Sequence, residues 1–225
     1  DIETGPPSST CSYSPYDGNG VINASAYRAS LLAEASVRFD ETRYWSIGER
    51  NLNFVLENQQ PDGSWLYAMD SERDFVDHYH TCFVLKALAK IERLKGHEGC
   101  GRAIERGVPY YLTNLFDEQG LPKPYSRAPR LTVYRNELYD CAEAVNVAVL
   151  LAGRFPDLDS AAGRIVDDIL KQWVKPDGSF RSRRLLLGWD SVPMHRWAQS
   201  QMFRSLAAWQ AARMKEERPE AGGLA

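Results

Sequence analysis

Two kinds of hydrophobic pattern alternate along the chain, and both have the period of an α-helix. Some segments have one apolar stripe, which is typical of helices that face water on one side. Others are apolar on nearly all sides, which is typical of helices surrounded by protein. This order predicts seven helices, outer and inner in alternation, with an inner helix at each end. No stretch alternates with period two over a useful length, so strands are not expected. The outer segments are 42–59, 99–116 and 160–174, and the inner segments are 22–35, 81–91, 141–153 and 197–209.

A repeat of about 57 residues underlies this alternation. Three segments, LENQQPDGSW, LTNLFDEQGLPKPY and LKQWVKPDGSF, each end a helical pattern with a glycine-centred turn and then an aromatic residue. The glycines are Gly63, Gly120 and Gly178, which lie 57 and 58 residues apart. Helix pairs that repeat in this way either stack into a solenoid or close into a ring. A closed ring would gather the long connectors before the inner helices around one mouth.

Composition restricts the classes of function. The 225 residues carry a net charge of −3 and no basic block, which argues against a nucleic-acid partner. No run approaches about eighteen apolar residues, so a membrane span is not expected. The four cysteines lack CxxC spacing, and Cys82 and Cys141 lie in apolar helical segments, as buried free thiols do. We therefore expect a protein of the reducing cytoplasm.

The long connectors are rich in arginine and in large aromatic residues. Helix N-termini favour anions, arginine binds carboxylates through paired hydrogen bonds, and flat aromatic rings stack on sugars. An acidic oligo- or polysaccharide is therefore the expected ligand of such a mouth. The alternative is that the aromatic rings only wedge helices together and the arginines are solvated. The side chains concerned are Arg127, Arg130, Arg135, Arg181, Arg183, Arg184, Arg196, Trp65, Tyr67, Tyr125, Tyr134, Trp189 and Trp197.

The segment DFVDHYHTCFVLKAL, residues 74–88, opens the second inner helix. His78 and His80 are two residues apart and point to different sides of a helix, which argues against a shared metal ion. Asp77 directly precedes the helix, which we expect to begin near His78, and aspartate is a favoured N-cap residue. This capping role is compatible with catalysis by Tyr79 or His80.

Four segments, VINASAYRASLLAEA, VLENQQPDGSWLYAMD, DFVDHYHTCFVLKAL and VPMHRWAQSQMFRSLA, resemble the VpsJ-like proteins. These form an α/α-toroid family from bacterial polysaccharide-biosynthesis clusters, and the resemblance extends from Tyr13 to Trp209. Together with the repeat, it predicts an all-α fold, an α/α toroid that would be an incomplete (α/α)6 ring. We expect a linker or loop at 1–20, the toroid domain at 21–214 as the C-terminal part of the ring, and a disordered tail at 215–225. A bacterial cytoplasmic location is implied.

A more distant resemblance is to the toroid domain of heparosan D-glucuronyl C5-epimerases. In that family a tyrosine-containing segment precedes a Leu-Asn pair, and an Asp-Tyr-His-Thr stretch opens the next inner helix. Here YSPYDGNGVIN retains the tyrosine and the asparagine, with Ile22 in place of leucine, and HYHT matches the second stretch. The implied catalytic residues are Tyr79, Tyr13 and His80, and the predicted substrate-binding residues are Asn23, Trp65, Asp77, His78, Arg127, Arg135, Asp140, Arg196 and Trp197.

The chemistry of this family sets requirements on the site. C5 epimerisation of a uronate removes the proton α to a carboxylate and returns a proton to the other face, which needs two proton carriers and cations beside the enolate-like charge. Two tyrosines whose pKa is depressed beside arginine and histidine would supply the carriers. Arg127, Arg135 and Arg196 would hold the carboxylate. A lyase begins with the same abstraction, so both activities stay open. No metal and no cofactor are expected.

Other functions are compatible with the same residues. A non-catalytic glycan-binding or assembly subunit would use the same groove without turnover. A toroid glycoside hydrolase would need two carboxyl groups across the bond. Terpene cyclases and protein prenyltransferases share the helix-pair toroid, but their DxDD, DDxxD and zinc-binding motifs are absent from the sequence. An upstream domain or a homo-oligomer is expected to complete the ring. The candidate carboxylates for hydrolysis are Asp70, Asp77, Asp140, Glu143 and Asp190.

Overall fold

The computed structural model describes residues 2–14, 16, 20–70 and 72–216. Within these ranges seven α-helices occur in the order that the hydrophobic pattern predicts. The helices are α1 (Ile22–Arg38), α2 (Thr42–Glu57), α3 (His78–Lys95), α4 (Glu98–Asn114), α5 (Leu138–Leu150), α6 (Pro156–Asp168) and α7 (Ser200–Glu216). One π-helical turn, Ile169–Trp173, follows α6 directly, and another, His195–Gln199, directly precedes α7.

The chain divides into two compact units. The first comprises Asp1–Asp117 and Lys123–Thr132, and the second comprises Glu118–Pro122 and Val133–Ala225. In the first unit the predicted inner helices α1 and α3 pack against each other, with α2 on α1 and α4 on α3. In the second unit α5 packs against α7, and α6 lies on α5. The pairing of inner with outer helices is therefore present within each unit.

The repeated glycine turn has one backbone conformation at its three positions. The φ angle is +95° at Gly63, +76° at Gly120 and +81° at Gly178, in the left-handed region that favours glycine. At Gly63 a side chain is also excluded by space, because a Cβ atom would overlap the backbone carbonyl of Arg106 on α4. The turn predicted from the repeat is therefore confirmed as a structural element that leads from an outer helix into a connector.

Helix α5 is buried as predicted for an inner helix, whereas α7 is not. Residues 140–148 of α5 are all buried. By contrast, in the predicted inner segment 197–209, Phe203 of α7 is 72% exposed, so the prediction that this helix is surrounded is wrong within its unit. The reason is that α7 packs on α5 and on its own π-helical turn, which leaves the side with Phe203 uncovered there.

Short antiparallel strands occur where the sequence predicts only irregular connectors. The pairs are β1 with β2, β3 with β4, and β6 between β5 and β7. Strands of two to four residues are too short to produce a period-two pattern, which is why the expectation of no strands is wrong. The strands are β1 (Ile2–Gly5), β2 (Ser8–Thr10), β3 (Val76–Asp77), β4 (Tyr125–Arg127), β5 (Tyr134–Glu137), β6 (Arg183–Leu185) and β7 (Trp189–Asp190).

The hairpin of β1 and β2 lies in segment 1–20, where the sequence suggests a linker or loop. Ser9 and Thr10 are buried in this hairpin. The Asn51 side chain of α2 donates a hydrogen bond of 2.8 Å to the Ser9 carbonyl, and the hydroxyls of Thr10 and Ser25 of α1 are 2.8 Å apart. Hydrogen bonds therefore hold this segment against the first helix pair.

The other end of the chain continues an element beyond its predicted boundary. Helix α7 extends to Glu216, into the segment predicted as a tail from 215 to 225. The rest of that tail lies outside the described residues. Among the described helices, none combines the length and the apolar character that crossing a membrane requires.

Candidate functional site

A narrow cavity lies in the first unit, where α1 and α3 begin. The connector 65–70 is held there by a β-bridge between Val21 and Ala68, and by the Ile22 N–H, which donates to the Tyr67 carbonyl at 3.2 Å. The cavity volume is about 10 Å³, room for about one water molecule. It therefore accepts one polar group of a larger ligand rather than a sugar ring. Its lining consists of Asn23, Trp65, Leu66, Tyr67, Asp77, His80, Thr81 and Val84.

Asp77 and His80 form an oriented pair in this cavity. Helix α3 begins at His78 with Asp77 as its N-cap, which confirms the predicted position. The Asp77 carboxylate, however, makes no capping bond and instead lies 2.7 Å from Nδ1 of His80. Asp77 is only 3% exposed, and the His80 side chain is 14% exposed. Because the carboxylate holds a proton on Nδ1, the lone pair of a neutral ring lies on Nε2, the arrangement of a general base.

Tyr13 and Asn23 form a second pair beside the first. The Asn23 amide donates a short hydrogen bond to the Tyr13 hydroxyl, and Asn23 is buried. Tyr13 as a whole is 57% exposed, but partial burial around its hydroxyl raises the pKa of Tyr13 to about 12. The Asn23 bond partly lowers this pKa, and the neighbouring Tyr67 and Asp77 raise it further. The expected depression of this pKa is therefore wrong. A phenol with a raised pKa is protonated near neutral pH, and its chemical role is proton donor.

Tyr67 belongs to the same cluster, although sequence reasoning placed it only among the connector aromatics. Its hydroxyl hydrogen-bonds with Tyr13. Its ring stacks on Phe75 at 4.7 Å and meets the His80 ring edge-on at 4.7 Å. The Arg73 guanidinium lies 5.8 Å from the centre of the Tyr67 ring. The signal in the sequence was its position in the connector between the glycine turn and the helix that carries His80.

The Asn23 side chain also has a polar atom that points to ligand binding. Its Oδ1 atom is buried and has no hydrogen-bond partner among the described residues. A buried acceptor without a partner is costly, at about 1–3 kcal/mol. A ligand hydroxyl that donates to Oδ1 would remove this cost, because Asn23 lines the cavity.

His78 and Tyr79 lie outside the cavity lining. His78 is fully buried, with Nδ1 at 3.1 Å from the Leu115 carbonyl and Nε2 at 2.7 Å from the Tyr111 hydroxyl. Burial lowers the pKa of His78 to about 3. The ring is therefore a neutral imidazole, and both of its nitrogens are engaged in hydrogen bonds inside the protein. Tyr79 is half-buried, and its ring contacts the rings of His80 at 4.1 Å and Phe83 at 5.6 Å.

Two further predicted residues of the first unit have different surroundings. Trp65 lines the cavity, is 3% exposed, and donates from its indole nitrogen to the Val55 carbonyl at 3.0 Å. It thus packs back on the outer helix α2. Arg127 of β4 forms an exposed ion pair with Asp74. The structure therefore brings together Tyr13, Asn23, Trp65, Asp77 and His80.

The remaining predicted residues lie in the second unit. Arg135 is exposed on β5, and Asp140 is buried in the first turn of α5. Arg196 and Trp197 are exposed on the π-helical turn before α7, where the Trp197 ring meets Tyr139 edge-on at 5.7 Å. Arg135, Arg196 and Trp197 are thus accessible to a ligand from solvent.

Two arginines of the expected anion-binding set are engaged inside the second unit. Arg183 pairs with Glu137 at 2.8 Å, and Arg184 pairs with Asp168 at 3.1 Å. Arg184 also lies 4.9 Å from the centre of the Trp189 ring. Their charges therefore hold strand β6 in place. In the described ranges, no group of three or more His, Cys, Asp or Glu side chains is arranged to hold a metal ion.

No family model matches the sequence. No curated protein matches it either. Solved structures do. The cellobiose 2-epimerase of Bacillus thermoamylovorans B4167 superposes with a TM-score of 0.71 at 11% identity, over 94% of this chain and 63% of that protein. The unsaturated glucuronyl hydrolase of Bacillus sp. GL1 gives 0.64 at 14%, over 88% and 60%.

A D-mannose isomerase gives a TM-score of 0.63 at 15% identity, over 76% of this chain and 46% of that protein. The chain thus spans between about half and somewhat under two thirds of the length of the structures it resembles. Such neighbours are α/α-toroid enzymes, so the predicted fold class is confirmed. At these identities the likeness establishes the fold alone.

Proposed function

We propose that this chain acts on an acidic glycan by abstracting the C5 proton of a uronate residue, as a C5-epimerase or a lyase does. The observation that carries the proposal is a pair of proton carriers held by residues that line one cavity. His80, itself in the lining, is held by Asp77, and Tyr13 is held by Asn23. The two differ in kind, because a neutral imidazole accepts a proton and a phenol with a raised pKa donates one. A base and an acid are what the reaction needs.

Each step has a group to perform it. Nε2 of His80 takes the C5 proton, and the electron pair of the C–H bond moves into the carboxylate to form an enolate-like dianion. The N-terminal ends of α1 and α3, which meet at the cavity, favour this negative charge. In epimerisation Tyr13 returns a proton to C5. In a lyase the C4–O bond breaks instead, and Tyr13 protonates the leaving oxygen.

The proposed substrate class is supported by exposed side chains of this chain and by the activities for which its structural neighbours are named. Arg135, Arg196 and Trp197 are exposed side chains of the kind that binds carboxylates and sugar rings, and we assign them to glycan binding. Structural neighbours include a cellobiose 2-epimerase and an unsaturated glucuronyl hydrolase named as responsible for glycosaminoglycan degradation. The VpsJ-like resemblance would connect the activity with polysaccharide biosynthesis.

Hydrolysis is the second candidate, because the neighbours include glycosyl hydrolases. It needs two available carboxyl groups. In the first unit Asp77 holds His80, and Asp70 holds Arg73 at 2.8 Å and accepts from its backbone N–H at 2.7 Å. Both of these carboxylates thus serve other side chains, which is why we place proton abstraction first. The neighbours by themselves fit hydrolysis equally well.

The test is solvent exchange. The protein would be incubated in D₂O with heparosan, alginate and polygalacturonate, and deuterium at C5 would be followed by NMR. An epimerase gives deuterium at C5 with a changed configuration, and a lyase gives an unsaturated uronate. A hydrolase gives new reducing ends without C5 exchange. Absence of both exchange and unsaturated product across the panel would refute the proposal.

The two tyrosines implied by the epimerase resemblance can be separated in the same assay. The Tyr13→Phe variant removes the proposed proton donor, whose partner Asn23 lines the cavity, and we expect a loss of about 100-fold in turnover. The Tyr79→Phe variant tests the other tyrosine that the resemblance implies. A larger loss for Tyr79→Phe than for Tyr13→Phe would transfer the donor role to Tyr79. If the parent and both variants bound the glycans equally well and none of them turned the glycans over, the chain would be a binding subunit.

A further inference from the structure

A second, larger concavity lies in the second unit, between α6 with its π-helical turn and α7. Its volume is about 680 Å³. The lining is apolar and partly exposed, with Leu170 57%, Phe203 72% and Met214 48% accessible. An apolar groove of this kind marks a docking site for another molecule. The groove is lined among others by Val166, Leu170, Phe203, Leu206, Trp209 and Met214.

The helix-pair repeat indicates what shape fits this groove. Each of α1, α3 and α5 carries an outer helix on its side, namely α2, α4 and α6. The groove runs along α7 beside α6, where an outer helix on α7 would lie. The lining residues of α7 at positions 203, 206, 210 and 214 have helical spacing, and all of them except Gln210 are apolar. A helix with one apolar stripe is therefore the matching occupant.

The charges beside the groove select among possible helices. Arg213 lines it, and Arg204 and Lys215 are exposed on the flank of α7. On the α6 side, Asp167 is paired with Lys171 at 3.5 Å. Three basic residues and one acidic residue, Glu216, lie on α7, so the charge of this helix is net positive. A second copy that docked through its own α7 would therefore bring like charges together.

We propose that this groove binds an amphipathic helix with acidic flanks from a partner polypeptide. The chain itself offers a model of such a helix. Helix α6 presents a buried stripe that includes Leu158, Ile165 and Val166, and it carries Asp157 and Asp159 in its first turn. Packed on α5, it shows how an outer helix of this composition lies on an inner one.

The experiment uses a fluorescent peptide with the sequence of residues 156–173, stapled between positions 160 and 164, which are exposed in α6. Its binding to the whole chain would be measured by anisotropy. We expect saturable binding, weakened at least about tenfold by Phe203→Asp, because an apolar contact at the centre of the groove is lost. A peptide with Asp167 and Asp168 changed to Lys should bind several-fold more weakly.

The matched control is Leu31→Asp, at an exposed leucine of α1 in the first unit, which should leave the peptide affinity unchanged. Circular dichroism would verify that both variants are folded. Absence of saturable binding, or equal affinity of Phe203→Asp and the parent, would overturn the proposal. Sedimentation equilibrium provides the third outcome. A dimer that Phe203→Asp converts to monomer would assign the groove to a second copy and refute a partner helix.

Discussion

Helices α3 and α5 start from the same local arrangement in the two units. A short strand leads into each, β3 into α3 and β5 into α5, and the N-cap is acidic in both, Asp77 and Glu137. Both caps have an extended backbone, and neither side chain bonds to the helix N–H groups. Asp77 binds His80 in its own first turn, whereas Glu137 binds Arg183 on the neighbouring strand β6.

This difference teaches where chemistry enters a repeat fold. The repeat reproduces the strand, the N-cap and the helix start in both units. The side chain three residues after the N-cap then determines which partner the acidic N-cap side chain binds. Three residues after the cap stands His80 in α3 and Asp140 in α5. An imidazole at that position can be oriented by the cap, while a carboxylate is repelled by it, so Glu137 takes a partner elsewhere. The first arrangement is the one that we propose for proton transfer, and the second joins the start of α5 to strand β6.

The largest effect is expected for His80→Gln. Glutamine cannot accept a proton in this pH range, so the rate of C5 deuterium exchange should fall by about 10³-fold. The measurement is the NMR exchange assay on the best substrate of the panel. His97→Gln, at the N-cap of α4, is the matched control and should exchange at the parental rate. Retention of more than a tenth of the activity by His80→Gln would contradict its role as the base.

His78 should control acid stability without affecting chemistry. Its pKa is about 3 in the folded protein and about 6.5 in the unfolded chain, so only the unfolded chain binds the proton between these values. Its contribution to stability is present above pH 6.5 and is lost as the pH falls towards 3. Between pH 7.5 and 4.5 this loss is on the order of 2–3 kcal/mol of unfolding free energy.

Urea unfolding of the parent and of His78→Gln across that range would measure this contribution. The variant should be less stable at pH 7.5, and the free energy of unfolding should fall with acid by roughly 2–3 kcal/mol less in the variant than in the parent. Equal slopes for His78→Gln and the parent would show that His78 is protonated in the folded state.

A smaller effect is expected for Tyr67→Phe. The lost hydroxyl contacts Tyr13 and contributes to its raised pKa. We expect turnover to fall about tenfold with little change in KM, and the alkaline loss of activity to move to lower pH. The pH–rate profile distinguishes this from a packing defect, since Tyr44→Phe on α2 should leave the profile unchanged. An unshifted alkaline limb in Tyr67→Phe would separate Tyr67 from the proton donor.

The smallest effect is expected in the second unit, at the acidic N-cap of α5. Glu137→Gln removes the charge that Arg183 faces in a partly exposed ion pair. The free energy of unfolding should fall by about 1 kcal/mol. Urea unfolding at pH 7.5 would measure it. A loss of several kcal/mol would show that β6 depends on this pair far more than its exposure indicates.

Much of the fold follows from the sequence because it is encoded in helical periodicity. The order of the seven described helices, the start of α3 at His78 and the glycine turns are read from local patterns. The short strands and the exposure of Phe203 are not, because they depend on partners distant in sequence. Arg183, for example, faces Glu137 across 46 positions.

The candidate site was also predictable in part from the sequence. The resemblance indicated Tyr13, Asn23, Asp77 and His80, which the structure brings into one cluster. The Asp77 carboxylate was expected to cap the helix, because propensity does not distinguish a backbone N–H from a nearby imidazole. The direction of the Tyr13 pKa was also mistaken, since it depends on burial of the hydroxyl rather than on neighbouring residue types.

The central claim is that Asp77 orients His80 for proton transfer at C5, and a side-by-side measurement of Asp77→Asn and Glu137→Gln tests it most directly. Both changes replace an acidic N-cap by its amide, so they are matched in charge and in position within the repeat. Deuterium exchange at C5 should fall by about 100-fold in Asp77→Asn, because the imidazole loses its orientation and tautomer, and stay within about twofold in Glu137→Gln. Equal rates in the two variants would contradict the account.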